Sequence, residues 1–181
     1  MPVAVNLSAL QCREPGLPEI VRRTLRDTGL DPGMLELEIT ESTLMAQTES
    51  LRSRMIEIKD CGIHFSLDDF GTGYSSLSYL TRFPIDTLKI DRTFIRDMID
   101  DPKDLAVVDT IVNLAENLQL KTIAEGVEKI EQITLLKLLG CHSIQGYFFS
   151  KPVHADELAK LLSGDIRLPT AQSSTPRAIA V

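Results

Sequence analysis

The sequence contains no long hydrophobic segment. None of the apolar runs in its 181 residues approaches the roughly 18 residues needed to span a bilayer. Residues 1–11 lack both the basic start and the long apolar stretch of a signal peptide. We therefore expect a cytoplasmic protein whose chain makes no contact with a membrane.

Basic residues are also in short supply. The 19 Lys and Arg residues are outnumbered by 26 Asp and Glu residues, which gives a formal net charge of −7. Nucleic acid polymers are bound by basic patches, so this balance argues against such a partner. An acidic domain can still bind a phosphorylated small molecule if metal ions screen its carboxylates.

The few cysteines and histidines are not spaced as metal ligands. Cys12, Cys61 and Cys141 are far apart, odd in number and contain no CxxC pair. This arrangement predicts neither a disulfide framework nor a zinc site, and we expect reduced thiols that serve as small core residues. The three histidines show no HxxxH spacing and are interpreted as structural or surface groups.

What is present is the composition of one globular domain, with 43% hydrophobic and 25% charged residues. Short apolar runs bounded by Gly, Pro or acidic residues predict six strands. They are Val3–Val5, Leu35–Ile39, Ile63–Leu67, Ile85–Ile90, Thr122–Ala124 and His142–Ile144.

Amphipathic segments between these runs predict six helices. They are Glu19–Asp27, Glu49–Lys59, Ser75–Leu80, Asp104–Leu118, Ile130–Leu139 and Asp156–Leu162. Alternating strands and helices indicate an α/β fold with a parallel sheet. Residues 164–181 carry Pro, Ser, Thr and Gln without periodicity, and we expect a disordered C-terminal tail there.

Polar residues end every predicted strand. In chain order they are Asn6, Glu38 with Glu41, Asp68 with Asp69, Lys89, Glu125 with Glu128, and Gln145. The carboxyl ends of parallel strands form the active-site face of such folds. A single carboxylate there is explained equally well as a helix N-cap. Six consecutive strand ends of this kind favour a functional site.

These residue types indicate a particular chemistry. Amide and carboxylate oxygens suit Mg²⁺ or Mn²⁺, and several carboxylates at one mouth would repel one another without a cation. Two ions about 3.5–4 Å apart would neutralise them and prepare a water molecule for attack on phosphorus. Lys89 would then orient that water or stabilise the developing charge. Its alternative role is a salt bridge to a neighbouring carboxylate.

Six motifs, in chain order, resemble a known family. They are VNLS at 5–8, ELEITES at 36–42, DDFGTGYSSL at 68–77, KID at 89–91, AEGVE at 124–128 and QGY at 145–147. Together they resemble the EAL domain, a bacterial phosphodiesterase of cyclic di-GMP. The resemblance runs from Val3 to about Leu162.

The resemblance implies a TIM-type (β/α)8 barrel whose first strand is antiparallel. It also implies two Mg²⁺ or Mn²⁺ ions and the hydrolysis of cyclic di-GMP to linear pGpG. Five residues match the family's metal-binding positions: Asn6, Glu38, Asp68, Asp69 and Glu125. Lys89, matched to a lysine that contacts the attacking water, is a catalytic candidate together with Glu125.

Three further residues match positions around this site. Glu41 resembles the residue that braces the loop carrying Asp68 to Tyr74. Glu128 and Gln145 match positions beside the metals and the nucleotide.

One departure from the family pattern leaves alternatives open. The namesake Glu-Ala-Leu tripeptide and the arginine near it are absent from the 181 residues. A TIM barrel usually takes about 250 residues, and we find six βα units. We therefore expect residues 1–163 to be an incomplete EAL domain that lacks its first strands.

Three hypotheses follow. In the first, the chain is part of an active phosphodiesterase. In the second, it is a non-catalytic module that binds cyclic di-GMP or a protein. In the third, it forms a homodimer in which the second copy covers the open edge of the sheet. The glutamate of the missing tripeptide is a metal-binding position in the family, so we expect this chain by itself to be a weak enzyme or none, and not a monomer.

Overall fold

The computed structural model describes residues 2–45, 49–72 and 80–163. The chain forms two compact units, residues 1–89 and 90–181. The division falls within the fourth strand, after Lys89, so the predicted site residues belong to two different units.

The first unit begins with parallel strands. It contains β1 (Val3–Asn6), α1 (Ala9–Arg13), α2 (Leu17–Thr28), a 3₁₀ turn (Pro32–Met34), β2 (Leu35–Thr40), α3 (Glu41–Met45), α4 (Glu49–Lys59), β3 (His64–Phe70) and most of β4 (Thr87–Ile90). Each strand lies beside the next one in the chain. The register pairs Asn6 with Glu38 and Thr40 with Asp68, so these polar positions lie on adjoining strands.

Strand alternation separates the core of this unit from its site. Leu37 and Ile39 of β2 are buried, as are Phe65 and Leu67 of β3. Successive side chains of a strand point to opposite faces, so Glu38, between Leu37 and Ile39, belongs to the other face. The burial of the apolar residues therefore fixes the side of the sheet on which the polar residues stand.

The second unit contains the remaining elements. They are α5 (Arg92–Asp97), α6 (Pro102–Asn117), β5 (Lys121–Ala124), α7 (Ile130–Leu138), β6 (Ser143–Ile144) and α8 (Ala155–Leu162). Strands β5 and β6 are parallel, with Ala124 opposite Ile144. Asp91 caps α5 by accepting a hydrogen bond from the Thr93 amide at 2.8 Å. The residues that follow β5 and β6 therefore start from adjacent strand ends.

All six predicted strands are present, which confirms the strand assignment. Five of the six predicted helices are confirmed as α2, α4, α6, α7 and α8. Residues 75–79 of the remaining helix lie outside the described residues, as does the predicted tail, 164–181.

The simple alternation of one helix per strand was wrong in detail. The sequence prediction missed α1, α3, α5 and the 3₁₀ turn, each six residues or shorter. Such segments are too short for apolar periodicity to show. The detectable signals were the N-caps, such as Ser8 before α1, which accepts from the Gln11 amide.

None of the helices in residues 2–45, 49–72 and 80–163 combines the length and the hydrophobicity that a membrane span requires.

Thiol reactivity should distinguish the three free cysteines. Cys12 and Cys141 are buried, and burial raises the pKa of both thiols, whereas Cys61 is partly exposed. We expect Ellman's reagent at pH 7.5 to modify one thiol per native chain and three after unfolding in guanidinium chloride. In Cys61→Ser the fast native reaction should disappear, and two or more fast thiols in the parent chain would contradict the burial.

Candidate active site

A buried ammonium group joins two of the predicted site carboxylates in the first unit. Lys89 Nζ lies 2.7 Å from Glu38 Oε1 and 3.2 Å from Asp68 Oδ1. Lys89 is only 3% exposed and Glu38 only 9%. The side chains come from the carboxyl ends of β4, β2 and β3. The structure thus brings together three of the residues singled out from the sequence, and both readings of Lys89 retain a geometric basis.

This group holds charges of both signs close together. The carboxylates of Glu38 and Asp68 face the Lys89 ammonium group in a place with little access to water. Charges in such surroundings are costly unless they are paired. Glu38 and Asp68 both direct an oxygen atom to the position of the Lys89 ammonium group. A hard metal ion likewise requires several oxygen atoms that point to one position.

Asn6 stands beside this group. It is the register partner of Glu38 across β1 and β2, and the Leu7 amide that follows it donates to the Glu38 carbonyl at 2.8 Å. The Asn6 side chain is exposed. An amide oxygen is therefore available at the same level of the sheet as the Glu38 carboxylate.

Asp69 has an unusual backbone conformation. Its φ of 57° lies in the left-handed region, which few residues other than glycine adopt but which Asp and Asn tolerate. The Asp69 carbonyl accepts a hydrogen bond from Thr72 Oγ1 at 2.9 Å, and its amide donates to Asp68 Oδ1 at 3.1 Å. A left-handed residue departs from the extended backbone on which the alternation of side chains along a strand depends.

Glu41 contacts the segment that follows β3. It is the first residue of α3 and is 6% exposed. Its Oε2 accepts a hydrogen bond from the Gly71 amide at 3.2 Å, and Gly71 itself has a φ of 97°. Residues 73–79 of this loop lie outside the described residues. The contact agrees with a bracing role for Glu41, which stays a prediction.

In the second unit, backbone hydrogen bonds fix the residues that follow β5 and β6. The Glu125 amide donates to the Ile90 carbonyl at 3.2 Å. The backbone amide of Gln145 donates to the Ala124 carbonyl at 2.8 Å, and the backbone carbonyl of Gln145 accepts from the Val127 amide at 3.1 Å. Gln145 is therefore attached to the β5 end and to the loop behind it.

Two glycines permit this close arrangement. A Cβ atom at Gly146 would lie 2.1 Å from the Val127 carbonyl oxygen. A Cβ atom at Gly126, whose φ is 70°, would lie 2.6 Å from the Cβ of Arg92. No larger residue fits at either position without moving backbone. Gly126 and Val127 of the loop 125–129 therefore pack closely against Arg92 and Gly146.

This loop lines a pocket of about 590 Å³. Glu125, Glu128 and Gln145 all border it, together with Arg92, Lys129 and Tyr147 among others. Cationic, anionic and amide groups thus face the same space, beside an aromatic ring that is 57% exposed. Such a lining offers partners for phosphate, hydroxyl and base groups of a nucleotide.

Sequence reasoning missed Gln132 in this unit. Gln132 is 2% exposed, and its side-chain carboxamide accepts from the Glu128 backbone amide and donates to the Ile95 backbone carbonyl. The available signal was its place three residues after the N-cap Lys129, where a Gln or Glu often reaches back to the helix start.

The candidate metal ligands of the first unit offer amide and carboxylate oxygen atoms. Across residues 2–45, 49–72 and 80–163, no group of three or more His, Cys, Asp or Glu side chains could hold a metal ion. The oxygen chemistry of Asn6, Glu38, Asp68 and Asp69 nevertheless fits Mg²⁺ or Mn²⁺. Two of these residues, Glu38 and Asp68, already converge on one cationic group.

Removing the Lys89 charge should destabilise the fold. Lys89→Met keeps an unbranched side chain but leaves Glu38 and Asp68 without their ammonium partner. We expect the free energy of unfolding to fall by about 3 kcal/mol, measured by urea denaturation in EDTA. Adding Glu38→Gln should cost less than the two single changes predict together.

Lys103→Met, at an exposed position of α6, is the matched control and should change the free energy by under about 0.5 kcal/mol. Equal stabilities for Lys89→Met and this control would show that the buried pairing contributes nothing.

The family model that matches the sequence is the EAL domain, over residues 1–152. MucR of Pseudomonas aeruginosa, named a bifunctional diguanylate cyclase/cyclic di-GMP phosphodiesterase, is 46% identical over 86% of this chain and 23% of its own. NbdA of the same species, named a cyclic di-GMP phosphodiesterase, is 41% identical over 88% of this chain and 20% of its own. The chain therefore spans less than a quarter of the length of these relatives.

Solved structures give the same assignment. The MucR phosphodiesterase in complex with c-di-GMP has a TM-score of 0.83 at 46% identity, over 87% of this chain and 64% of that one. The EAL domain of Mycobacterium smegmatis DcpA gives 0.87 at 37% identity, over 91% and 73%. Klebsiella pneumoniae BlrP1, in a manganese and cyclic di-GMP complex, gives 0.77 at 32% identity, over 83% and 39%.

These neighbours share the TIM-type barrel, of which the six described strands form a part, and this confirms the predicted fold class. The manganese complex shows that a relative holds a divalent ion together with the nucleotide. With the family model matching most of its length and relatives above 40% identity, this chain belongs to the EAL domain family.

Proposed function

We propose that this chain takes part in the hydrolysis of cyclic di-GMP to linear pGpG. The observation that carries the proposal is the buried Lys89 ammonium held between Glu38 and Asp68 at neighbouring strand ends. The relatives MucR and NbdA, named as cyclic di-GMP phosphodiesterases, support the choice of substrate. Because cyclic di-GMP is a bacterial second messenger, we propose that the reaction takes place in the cytoplasm.

In this reaction the oxygen of a water molecule forms a bond to phosphorus. The bond from that phosphorus to a ribose oxygen breaks, and the ribose oxygen ends with a proton. Asn6, Glu38, Asp68, Asp69 and Glu125 are the residues that would hold two Mg²⁺ or Mn²⁺ ions. Bound divalent ions would supply charge neutralisation and a water of lowered pKa.

The remaining chemistry falls to this chain's own side chains. Lys89 is fixed by two carboxylates, so its ammonium has little freedom to move and can orient the attacking water by hydrogen bonding. Glu128 and Gln145 border the pocket of the second unit and would contact the nucleotide. Glu41 would keep the loop after β3 in place through the Gly71 amide.

Turnover by the 181-residue chain tests the proposal directly. Incubation of cyclic di-GMP with Mn²⁺ or Mg²⁺ should give pGpG on liquid chromatography, slowly because the Glu-Ala-Leu glutamate is absent from the 181 residues, and EDTA should stop it. Asp69→Asn keeps a residue that tolerates the left-handed backbone but removes the charge. We expect it to lower turnover at least about a hundredfold and to weaken Mn²⁺ binding measured by calorimetry.

Asp60→Asn makes the same change at an exposed residue just after α4 and is the matched control. It should leave turnover and Mn²⁺ affinity within about twofold of the parent.

Lys89→Ala should lower kcat by orders of magnitude while KM and Mn²⁺ affinity change little, because the ammonium group contributes mainly in the transition state. Binding of cyclic di-GMP without any turnover would favour the non-catalytic module instead.

We also propose that the chain self-associates through β1. All four residues of β1 are exposed, and the side chains of Val3 and Val5 are 48% and 44% exposed. Within the described residues β1 pairs only with β2, which leaves a free edge and apolar surface for a second copy.

Light scattering coupled to size-exclusion chromatography should give the mass of a dimer or larger species. Val5→Lys should lower the measured mass toward that of the monomer, because a charge on an edge strand opposes pairing. A monomer in the parent chain at 100 µM (about the upper working range for weak dimers, Kd near 10⁻⁴ M) would refute the assembly.

A further inference from the structure

The carboxamide of Gln132 holds the loop that carries Glu125 and Glu128. This loop, residues 125–129, joins β5 to α7. Gln132 Oε1 accepts hydrogen bonds from the amides of Glu128 at 2.8 Å and Lys129 at 2.9 Å. Backbone amides at a helix start have no partner within the helix. Gln132 satisfies two of them at the position where Glu128 enters the pocket.

The other end of the same carboxamide is bound to α5. Gln132 Nε2 donates to the Ile95 carbonyl at 2.8 Å and reaches the Arg96 carbonyl at 3.5 Å. These carbonyls belong to the last turn of α5, where the helix offers no internal donor. A single side chain therefore links the loop of Glu128 to the helix whose residues Arg92 and Arg96 line the same pocket.

Only glutamine supplies this combination at this length. One end must accept two hydrogen bonds and the other must donate to a carbonyl, all inside a site that is 2% exposed. Methionine or leucine would leave buried amides and carbonyls without partners, which is costly. Glutamate would keep the accepting end but would set a carboxylate against the Ile95 carbonyl.

We infer that Gln132 is a positioning residue for the proposed reaction, acting through the backbone of Glu128. The expected change in kcat rests on the proposed function, whereas the role of Gln132 in holding the loop does not. Loss of the carboxamide frees the loop at Glu128, while Glu125 stays attached to Ile90 through its own amide. Because a displacement of about 1 Å in a group that orients the substrate can cost about a hundredfold in rate, the effect should appear in kcat.

The experiment compares Gln132→Met with Ile133→Val, a buried truncation at the next residue of α7 that keeps the carboxamide. We expect Gln132→Met to lower kcat for cyclic di-GMP about ten- to a hundredfold with KM within about threefold. Ile133→Val should keep kcat within about twofold of the parent at a comparable loss of Tm. Equal kcat values in the two variants would overturn the inference.

Hydrogen exchange followed by NMR supplies a readout that does not depend on activity. The amides of Glu128 and Lys129 should exchange at least about tenfold faster in Gln132→Met than in Ile133→Val, since they lose their acceptor. Gln132→Glu, which keeps an acceptor oxygen, should protect both amides to within about threefold of the parent. If the parent chain gives no turnover, the proposed function fails, and this exchange comparison alone decides whether Gln132 holds the loop. Unchanged exchange in Gln132→Met would overturn it.

Discussion

The first unit depends on how one buried positive charge is accommodated. Lys89 sits at 3% exposure, where an unpaired ammonium group would be prohibitively costly. The carboxylates of Glu38 and Asp68 that contact it come from separate strands, so the register of β2, β3 and β4 must be kept for the charges to meet. The same contacts that make burial tolerable also fix the positions of groups that the proposed chemistry needs. Stability and function therefore constrain the same side chains.

The second unit uses backbone contacts where the first uses charges. Its loop after β5 is fixed by hydrogen bonds to Ile90, Gln145 and the Gln132 side chain. Glycines 126 and 146 allow the neighbouring chain segments to approach closely enough for these bonds to form. A loop held in this way can present carboxylates to a pocket without relying on their own side-chain contacts. This is the kind of support that a rigid site requires.

The strand ends were predictable because they follow from local chemistry. Apolar runs bounded by glycine or acidic residues defined all six strands, and the residues after them were identified with no knowledge of the fold. The short helices α1, α3 and α5 were missed, since segments of five or six residues show no period. Gln132 was missed for a different reason. A glutamine on a helix looks like a solvated surface residue until its two hydrogen-bonding partners are known.

The sequence by itself determined the family, the order of the strands and the identity of the oxygen and nitrogen groups at their ends. The strands and the groups at their ends follow from residue type and spacing, and the family follows from the resemblance of six motifs, all of which are properties of the chain alone. Only the tertiary structure decided which of the groups touch. Lys89 meets Glu38 and Asp68 because parallel pairing aligns residues more than twenty positions apart. The left-handed turn at Asp69 and the burial of Gln132 likewise depend on neighbours brought close by folding, and no local pattern contains that information.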